Sequence, residues 1–270
     1  MNIQGNIRKM HSSLVNGEVE YTLPLYSNLN PEHFLSMNQF IGEQINISFS
    51  GQINCVVTGK RIRKTYGEGM SYDAFKTSPL AVESIIRPEL SRIHEGIALR
   101  DEEWERKHHL RPHYVYITKT AGLKVGVTNE TQIPTRWIDQ GAVEGLIIAK
   151  TPHRQAAGLI EVALKQYIAD RTNWRKMLQN ELTTEDILVK REELISYLDN
   201  DLKQHIVDEQ PLKIKFPVIS YPDKVKSMKL DKVPLIEKKL MGIKGQYLIF
   251  EEGYVMNIRS HSGYYIQITN

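Results

Sequence analysis

Residues 113–137, HYVYITKTAGLKVGVTNETQIPTRW, place two tyrosines two positions apart, a lysine after a short turn and one arginine in a single stretch, and a helical pattern further on carries Glu161. Phenol, ammonium, guanidinium and carboxylate are side chains that phosphodiester chemistry draws on. Hydrolysis of such a bond needs a nucleophilic water, a group to deprotonate it, and positive charge where the phosphorane gathers negative charge. Each residue also has a purely structural use. Tyr114 and Tyr116 suit a half-buried strand; Arg136 can pair with Asp139, and Glu161 with Lys165 one helical turn on.

The elements that position these residues follow from apolar periodicity. Strands are expected at YVYIT (114–118) and LKVGVT (123–128) across an Ala121-Gly122 turn, then a helix over 134–140 and a strand over 143–149. A second helix is expected to open with Thr151 as its N-cap and Pro152 where a missing N–H costs nothing. Its apolar stripe is Leu159, Ile160, Ala163, Leu164, Tyr167 and Ile168, with Glu161 off the centre and Gly158 leaving room for a close approach. A third helix, about 184–206, has Thr183 and Asp186 as a capping box and a stripe of Ile187, Leu194, Ile195, Leu198, Leu202 and Ile206.

This order of hairpin, helix with arginine, strand, and helix with glutamate resembles the GIY-YIG nuclease domain over residues 113–178. YVYI stands for the first half of the signature, with Tyr116 the better match and Tyr114 on the same strand face; KVG at 124–126 stands for the second, so Lys124 replaces a tyrosine. Arg136 falls where that family carries its catalytic arginine, Gln140 where many members carry histidine, Glu161 at the metal-binding glutamate and Asn173 at the asparagine that follows it. The resemblance implies an α+β core with a small three-stranded sheet. It also implies that Glu161 holds one Mg²⁺, Arg136 clamps the phosphate, and Tyr116 orients or deprotonates water with Tyr114 or Lys124 assisting. One carboxylate holds Mg²⁺ weakly, so substrate phosphate and water would complete the shell. Lys124 can act as a base only where burial lowers its pKa.

The whole chain also resembles a bacterial family of uncharacterised proteins that joins a cysteine-rich amino-terminal half to such a core and ends in a stretch like GIKGQYLIFEEGYVMNIRSHSGY. That resemblance implies cysteines at positions 55, 58, 71, 74, 84 and 91, of which this chain keeps only Cys55. CVVTGK has the frame of a zinc knuckle, but Thr58, Ser71, Ala74, Ser84 and Ser91 are poor ligands or none, so zinc is not expected and packing with hydrogen bonds should replace it. His108, His109 and His113 read as a solvated approach to the first strand.

Five segments result: a β-rich 1–54, a degenerate zinc-ribbon-like region and linker 55–112, the GIY-YIG-like core 113–180, an acidic helix 181–210, and a basic β-rich 211–270. The two β-rich ends read as related hairpins or as parts of one barrel.

The net charge of +3 is too small to define a partner, so its distribution matters more. Lys60, Arg61, Arg63 and Lys64 cluster in KRIRK, and nine lysines fall in 211–245, whereas 178–209 holds nine acidic residues. Asn173 joins the four KRIRK cations as an expected nucleic-acid contact. No apolar run approaches the roughly 20 residues a membrane helix needs, and MNIQGNIRKMHSS lacks the apolar block of a secretory signal. A cytoplasmic setting is expected, which suits a single cysteine. The reading is therefore a nucleic-acid-binding protein, for DNA or RNA, whose core recognises phosphate without cleavage. Its alternatives are an Mg-dependent endonuclease and an interaction module using the acidic helix.

Overall fold

Alternating apolar residues at the chain's two ends make strands with one apolar face, and the strands of the two ends pair edge to edge in one sheet. In the computed structural model, which describes residues 2–270, the chain divides into two compact units: residues up to Thr77 with Lys215–Asn270, and Ser78–Ile214. The first segment supplies β1 (Asn2–Ile7), β2 (His11–Val15), β3 (Glu18–Ser27), β4 (Asn30–Ser36), β5 (Gln44–Asn54), β6 (Arg61–Ile62) and a short α1 (Tyr72–Thr77).

The second unit contains α2 (Glu102–His109), β7 (His113–Lys119), β8 (Leu123–Asn129), α3 (Thr135–Asp139), β9 (Glu144–Thr151), α4 (Arg154–Leu164), α5 (Trp174–Leu178), α6 (Ile187–Ser196), α7 (Asn200–Lys203) and β10 (Leu212–Lys213). The chain then returns to the first unit with β11 (Lys226–Met228), β12 (Leu235–Lys244), β13 (Tyr247–Phe250), β14 (Tyr254–Asn257) and β15 (Tyr264–Thr269).

In the first unit these strands form one sheet in the order β11-β14-β13-β12-β5-β15-β1-β3-β2, with β4 beside β3 and β6 beside β5. Carboxy-terminal β15 lies between amino-terminal β1 and β5, and Ile45, Ile47, Ile266 and Ile268 are buried across that seam. The 55–77 region is held by hydrogen bonds. The Cys55 and Val56 N–H groups donate to the carbonyls of Lys60 and Gly69, and the Ser71 N–H donates to Cys55 Sγ at 3.1 Å. Burial pushes the Cys55 thiol up, but hydrogen bonds from the Thr58 side chain and from backbone N–H groups of Ser71, Thr58 and Val57 outweigh it and leave the thiol at about 7.

The second unit is built on an antiparallel sheet in the order β10-β9-β7-β8. It has four strands rather than the three expected, because Leu212 and Lys213 return to pair with Gly145 and Glu144. Strand alternation sorts β7 and β8 into two faces. Val115, Ile117, Leu123, Val125 and Val127 join Ala157, Ile160 and Leu164 of α4, and Ile187 and Leu194 of α6, in one apolar core. The other face carries Tyr114, Tyr116, Thr118, Lys124 and Gly126, with Tyr116 opposite Gly126 and Thr118 opposite Lys124.

Several sequence expectations are corrected. Thr151 ends β9 and donates its hydroxyl to the carbonyls of His113 and His153; the N-cap of α4 is His153, whose ring nitrogen accepts from the Ala156 N–H. Leu159 and Tyr167 stand exposed, because Ala157 and Ile160 turn the buried stripe of α4 away from them. The single helix over 184–206 is two, α6 and α7, separated at Tyr197–Asp199; Asp186 caps the first by accepting from Leu188 and Val189.

Two of the three histidines expected in solvent are also corrected. His109 and His113 are buried, at 2% and 1% exposure, while His108 stacks on Trp104. Burial, with nearby Arg154 and neighbouring histidines, pushes His109 down to about 3. Burial and the Arg154 and Arg111 charges push His113 down to about 4, against a hydrogen bond to the Arg111 carbonyl that raises it.

Both rings are neutral in the folded chain at neutral pH. Their contribution to stability is intact above the ordinary histidine value near 6.5 and is lost as pH falls from there towards 4, at about 1.4 kcal/mol for each tenfold difference in proton affinity between folded and unfolded chain. Denaturant unfolding of the wild type at pH 7 and pH 5 should show this loss, and His113→Gln should reduce the difference between the two pH values. An equal difference in both proteins would place His113 in water.

Candidate functional site

The polar face of β7 and β8 is where chemistry-bearing side chains gather. Tyr116 is 1% exposed, and its phenol has room there because Gly126 sits opposite: a Cβ at Gly126 would lie 2.6 Å from the phenol oxygen. Trp137 of α3 meets the ring edge-on at 5.9 Å, and the Gln140 side-chain N–H donates to the phenol oxygen at 3.0 Å. Burial raises the Tyr116 pKa; Arg136 and the hydrogen bond from Gln140 pull it down, and Glu161 pushes it up. The charges of both Arg136 and Glu161 thus act on this phenol. Arg136 is half-buried and forms no salt bridge among the described residues.

Lys124 lies on the same sheet face at 7% exposure. Burial and the Arg136 charge lower it to about 8, against Asp170 and Glu161, which raise it. The condition under which this lysine can give up a proton near neutrality is thus met by the fold. Tyr114 stands two positions before Tyr116, half-buried, with the Lys150 ammonium 5.6 Å from its ring centre.

Glu161 is carried by α4, is 7% exposed, and its Oε2 lies 3.4 Å from Lys165 Nζ but has no hydrogen bond. The pairing with Lys165 considered as its structural use therefore exists, as an ion pair on that same buried oxygen. Burial raises the Glu161 pKa, Lys165 and Arg154 lower it, and Glu89 raises it. Lys165 is shared, with Asp170 Oδ2 at 3.8 Å.

Two further participants carry no signal of their role in the sequence. Arg154 begins α4, donating from Nε to the Ser84 carbonyl at 2.6 Å and from its terminal nitrogen to the Ile85 carbonyl at 2.8 Å. Burial and Arg136 lower its pKa to about 10, while Glu161 and Glu89 raise it. Glu89 arrives from 72 positions before Glu161 because the Pro88–Glu89 backbone rests on Gly158, where a Cβ would come within 2.6 Å of the Pro88 carbonyl carbon. Gly158 is the one trace of this approach in the sequence.

The remaining expected residues lie elsewhere. Asn173 caps α5, accepting from the Lys176 N–H at 3.3 Å. Lys60, Arg61, Arg63 and Lys64 are residues of the first unit, with the Lys64 ammonium 5.2 Å from the centre of the Tyr66 ring. Lys60, Arg61, Arg63 and Lys64 are all exposed.

Fold and site together define a two-unit α+β protein whose second unit carries Tyr116 and Lys124 on one face of a small antiparallel sheet, with Arg136 on α3 and Glu161 on α4. The chain belongs to the family described as protein of unknown function (DUF2797), whose model matches residues 42–266. No curated protein and no solved structure matches it. Among the described residues no helix is long and apolar enough to cross a membrane, and no group of three or more His, Cys, Asp or Glu side chains is placed to hold a metal ion.

The mutual influence of these groups is measurable. Lys124 should titrate near pH 8 by NMR of its side-chain nitrogen; Glu161→Gln should move it lower, and Arg136→Gln higher, because each removes a charge that acts on the ammonium. A Lys124 titration unmoved by both substitutions would show that the groups do not share a site.

Proposed function

We propose that this chain binds nucleic acid in the cytoplasm through a GIY-YIG-like core that grips phosphate on the Tyr116 face of its small sheet. The observation that carries the reading is Arg136: a half-buried guanidinium with no salt bridge among the described residues, set against a buried phenol and close enough to act on Lys124 and Arg154. A planar guanidinium presents paired donors that match phosphate oxygens, and burial strengthens each such contact. Tyr116, held protonated by burial, adds an O–H donor, and Lys124 adds charge. The exposed Lys60, Arg61, Arg63 and Lys64 supply further backbone contacts along a polymer. DNA and RNA share the phosphate chemistry that these groups recognise.

The second reading, an Mg-dependent endonuclease, is favoured by one observation, the buried Glu161 carboxylate, whose Oε2 has the Lys165 ammonium at 3.4 Å and no closer hydrogen bond. A buried carboxylate oxygen with one long ion pair suits a hard divalent cation, and Glu161 would hold it in place of Lys165. When bound, Mg²⁺ would supply positive charge to a phosphate held there. Arg136 would bind and orient that phosphate, and Tyr116 would donate a hydrogen bond rather than accept a proton. Lys124 is the group able to take a proton from water, with about one-tenth of it neutral at pH 7 from its value of about 8.

Fluorescence anisotropy with labelled single- and double-stranded DNA and RNA, in EDTA, tests the first reading. Affinity should fall linearly with log salt; Arg136→Gln should weaken binding and reduce the slope by about 0.7–0.9 for each phosphate the variant no longer neutralises, and Lys60→Glu with Arg61→Glu should weaken it as well. Binding indifferent to salt, or binding to none of these polymers, overturns it. Cleavage that appears with Mg²⁺ and vanishes in Glu161→Gln would establish the second reading.

A further inference from the structure

We propose that the stacked imidazoles of His94 and His153 form a pH-sensitive latch, which seats residues 83–95 against the start of α4 while both rings are neutral and releases that segment in mild acid. The latch stands apart from the phosphate reading, because neither ring belongs to the Tyr116 face.

Three observations carry it. First, the rings meet face to face, with centres 4.3 Å apart and planes 12° from parallel. Two charged imidazoles cannot keep that contact without strong repulsion. Second, each ring is placed where it is welcome only as a neutral group. His153 is the N-cap of α4, and its Nδ1 accepts from the Ala156 N–H at 3.4 Å. A protonated imidazole has no acceptor left and sets its charge against the positive end of the helix. His94 Nδ1 is buried without a hydrogen bond, so in the charged ring it becomes a buried donor with nothing to bond. Third, the segment consists of short turns, Glu83–Ile85, Pro88–Leu90 and Ile93–Glu95. Arg154 ties its start through the Ser84 and Ile85 carbonyls, and the Pro88–Glu89 backbone rests on Gly158 in its middle. The His94 stack is what fastens its end.

The surrounding charges set the sign of the response. Glu95, held by Arg92 at 2.6 Å, has Oε1 3.5 Å from His94 Nε2, an ion pair once that ring is charged. Behind the segment, the Ser91 hydroxyl lies 3.4 Å from Nδ1 of His109 on α2. On the other side stand Arg154 on α4 itself, His113 on β7, and His205, whose carbonyl accepts from the Lys150 N–H at the end of β9. Burial lowers the His153 pKa, and His94 and His205 lower it further. A ring held below its ordinary value keeps the latch closed above about 6.5, and the hold weakens as pH falls from there.

The test is amide hydrogen exchange of the full chain, followed by NMR at pH 7 and pH 5.5. The Ser91, Glu95 and Ala156 amides bond to the Pro88 carbonyl, the Arg92 carbonyl and the His153 ring. Their protection should fall about tenfold for each pH unit below 6.5. His153→Asn, which caps a helix without taking a charge, should remove that fall. Equal wild-type protection at both pH values overturns the proposal, as does the same fall in His153→Asn. If that variant fails to fold, the titration of the His153 ring protons decides instead. In His94→Phe, which keeps a flat ring that cannot charge, it should move to higher pH, and a titration left where it is in the wild type overturns the latch.

Discussion

Taking charge out of water is what the second unit must solve, and its architecture follows from the solution. Lys124, Glu161 and the Tyr116 phenol are nearly excluded from solvent, and a buried ionised group is costly unless opposite charge and hydrogen bonds replace its water. Each finds its own compensation: Lys165 pairs with Glu161, Gln140 donates to the Tyr116 phenol, and the charges of Asp170 and Glu161 oppose the loss of the Lys124 proton. The apolar core on the opposite face, with Val115, Ile117 and Val125 against Ile160 and Leu164, makes the sheet rigid enough to hold that set in place.

Two close approaches to glycine decide the geometry. Gly126 gives the Tyr116 phenol its room across the β7–β8 pair, and Gly158 lets the Pro88–Glu89 turn reach α4. The first acts within a hairpin and fixes where a donor points. The second joins parts of the chain far apart in sequence and fixes which charges meet. Arg154 works at both levels, anchoring the Ser84–Ile85 carbonyls while the charges of Glu161 and Glu89 raise its pKa against burial.

How much of this can be read from the residues depends on the range of the signal. Strands 114–118 and 123–128 fall inside β7 and β8, because strict alternation needs only neighbours to be visible. The helix carrying Glu161 is also visible through Ile160 and Leu164, but its start is not: Thr151 and Pro152 have the chemistry of a helix opening, and the strand pairing of Thr151 with His113 prevails. Helix 184–206 looks continuous in sequence because Leu198 and Leu202 keep the period across the break at Tyr197–Asp199. Burial of His109 and His113 leaves no local mark, since nothing nearby in sequence distinguishes a solvated histidine from one under a tertiary contact. Glu89 is out of reach for the same reason, and the lowered pKa of Lys124 exists only once the sheet has buried it.

The protonation states weigh on what such a site does best. At neutral pH the phenol of Tyr116 keeps its proton, and Lys124 is mostly and Arg154 fully charged. Nearly every group that meets the Tyr116 face is then a donor or a cation, which is what an anion with several acceptor oxygens requires. A base is scarce: Glu161 is engaged with Lys165, and Lys124 gives up its proton only towards pH 8. Recognition needs no more than the donors, whereas cleavage needs the small neutral fraction of one lysine as well. The same electrostatics that would strengthen a phosphate grip at pH 7 would hold a hydrolytic step back, which orders the two proposed readings with binding first.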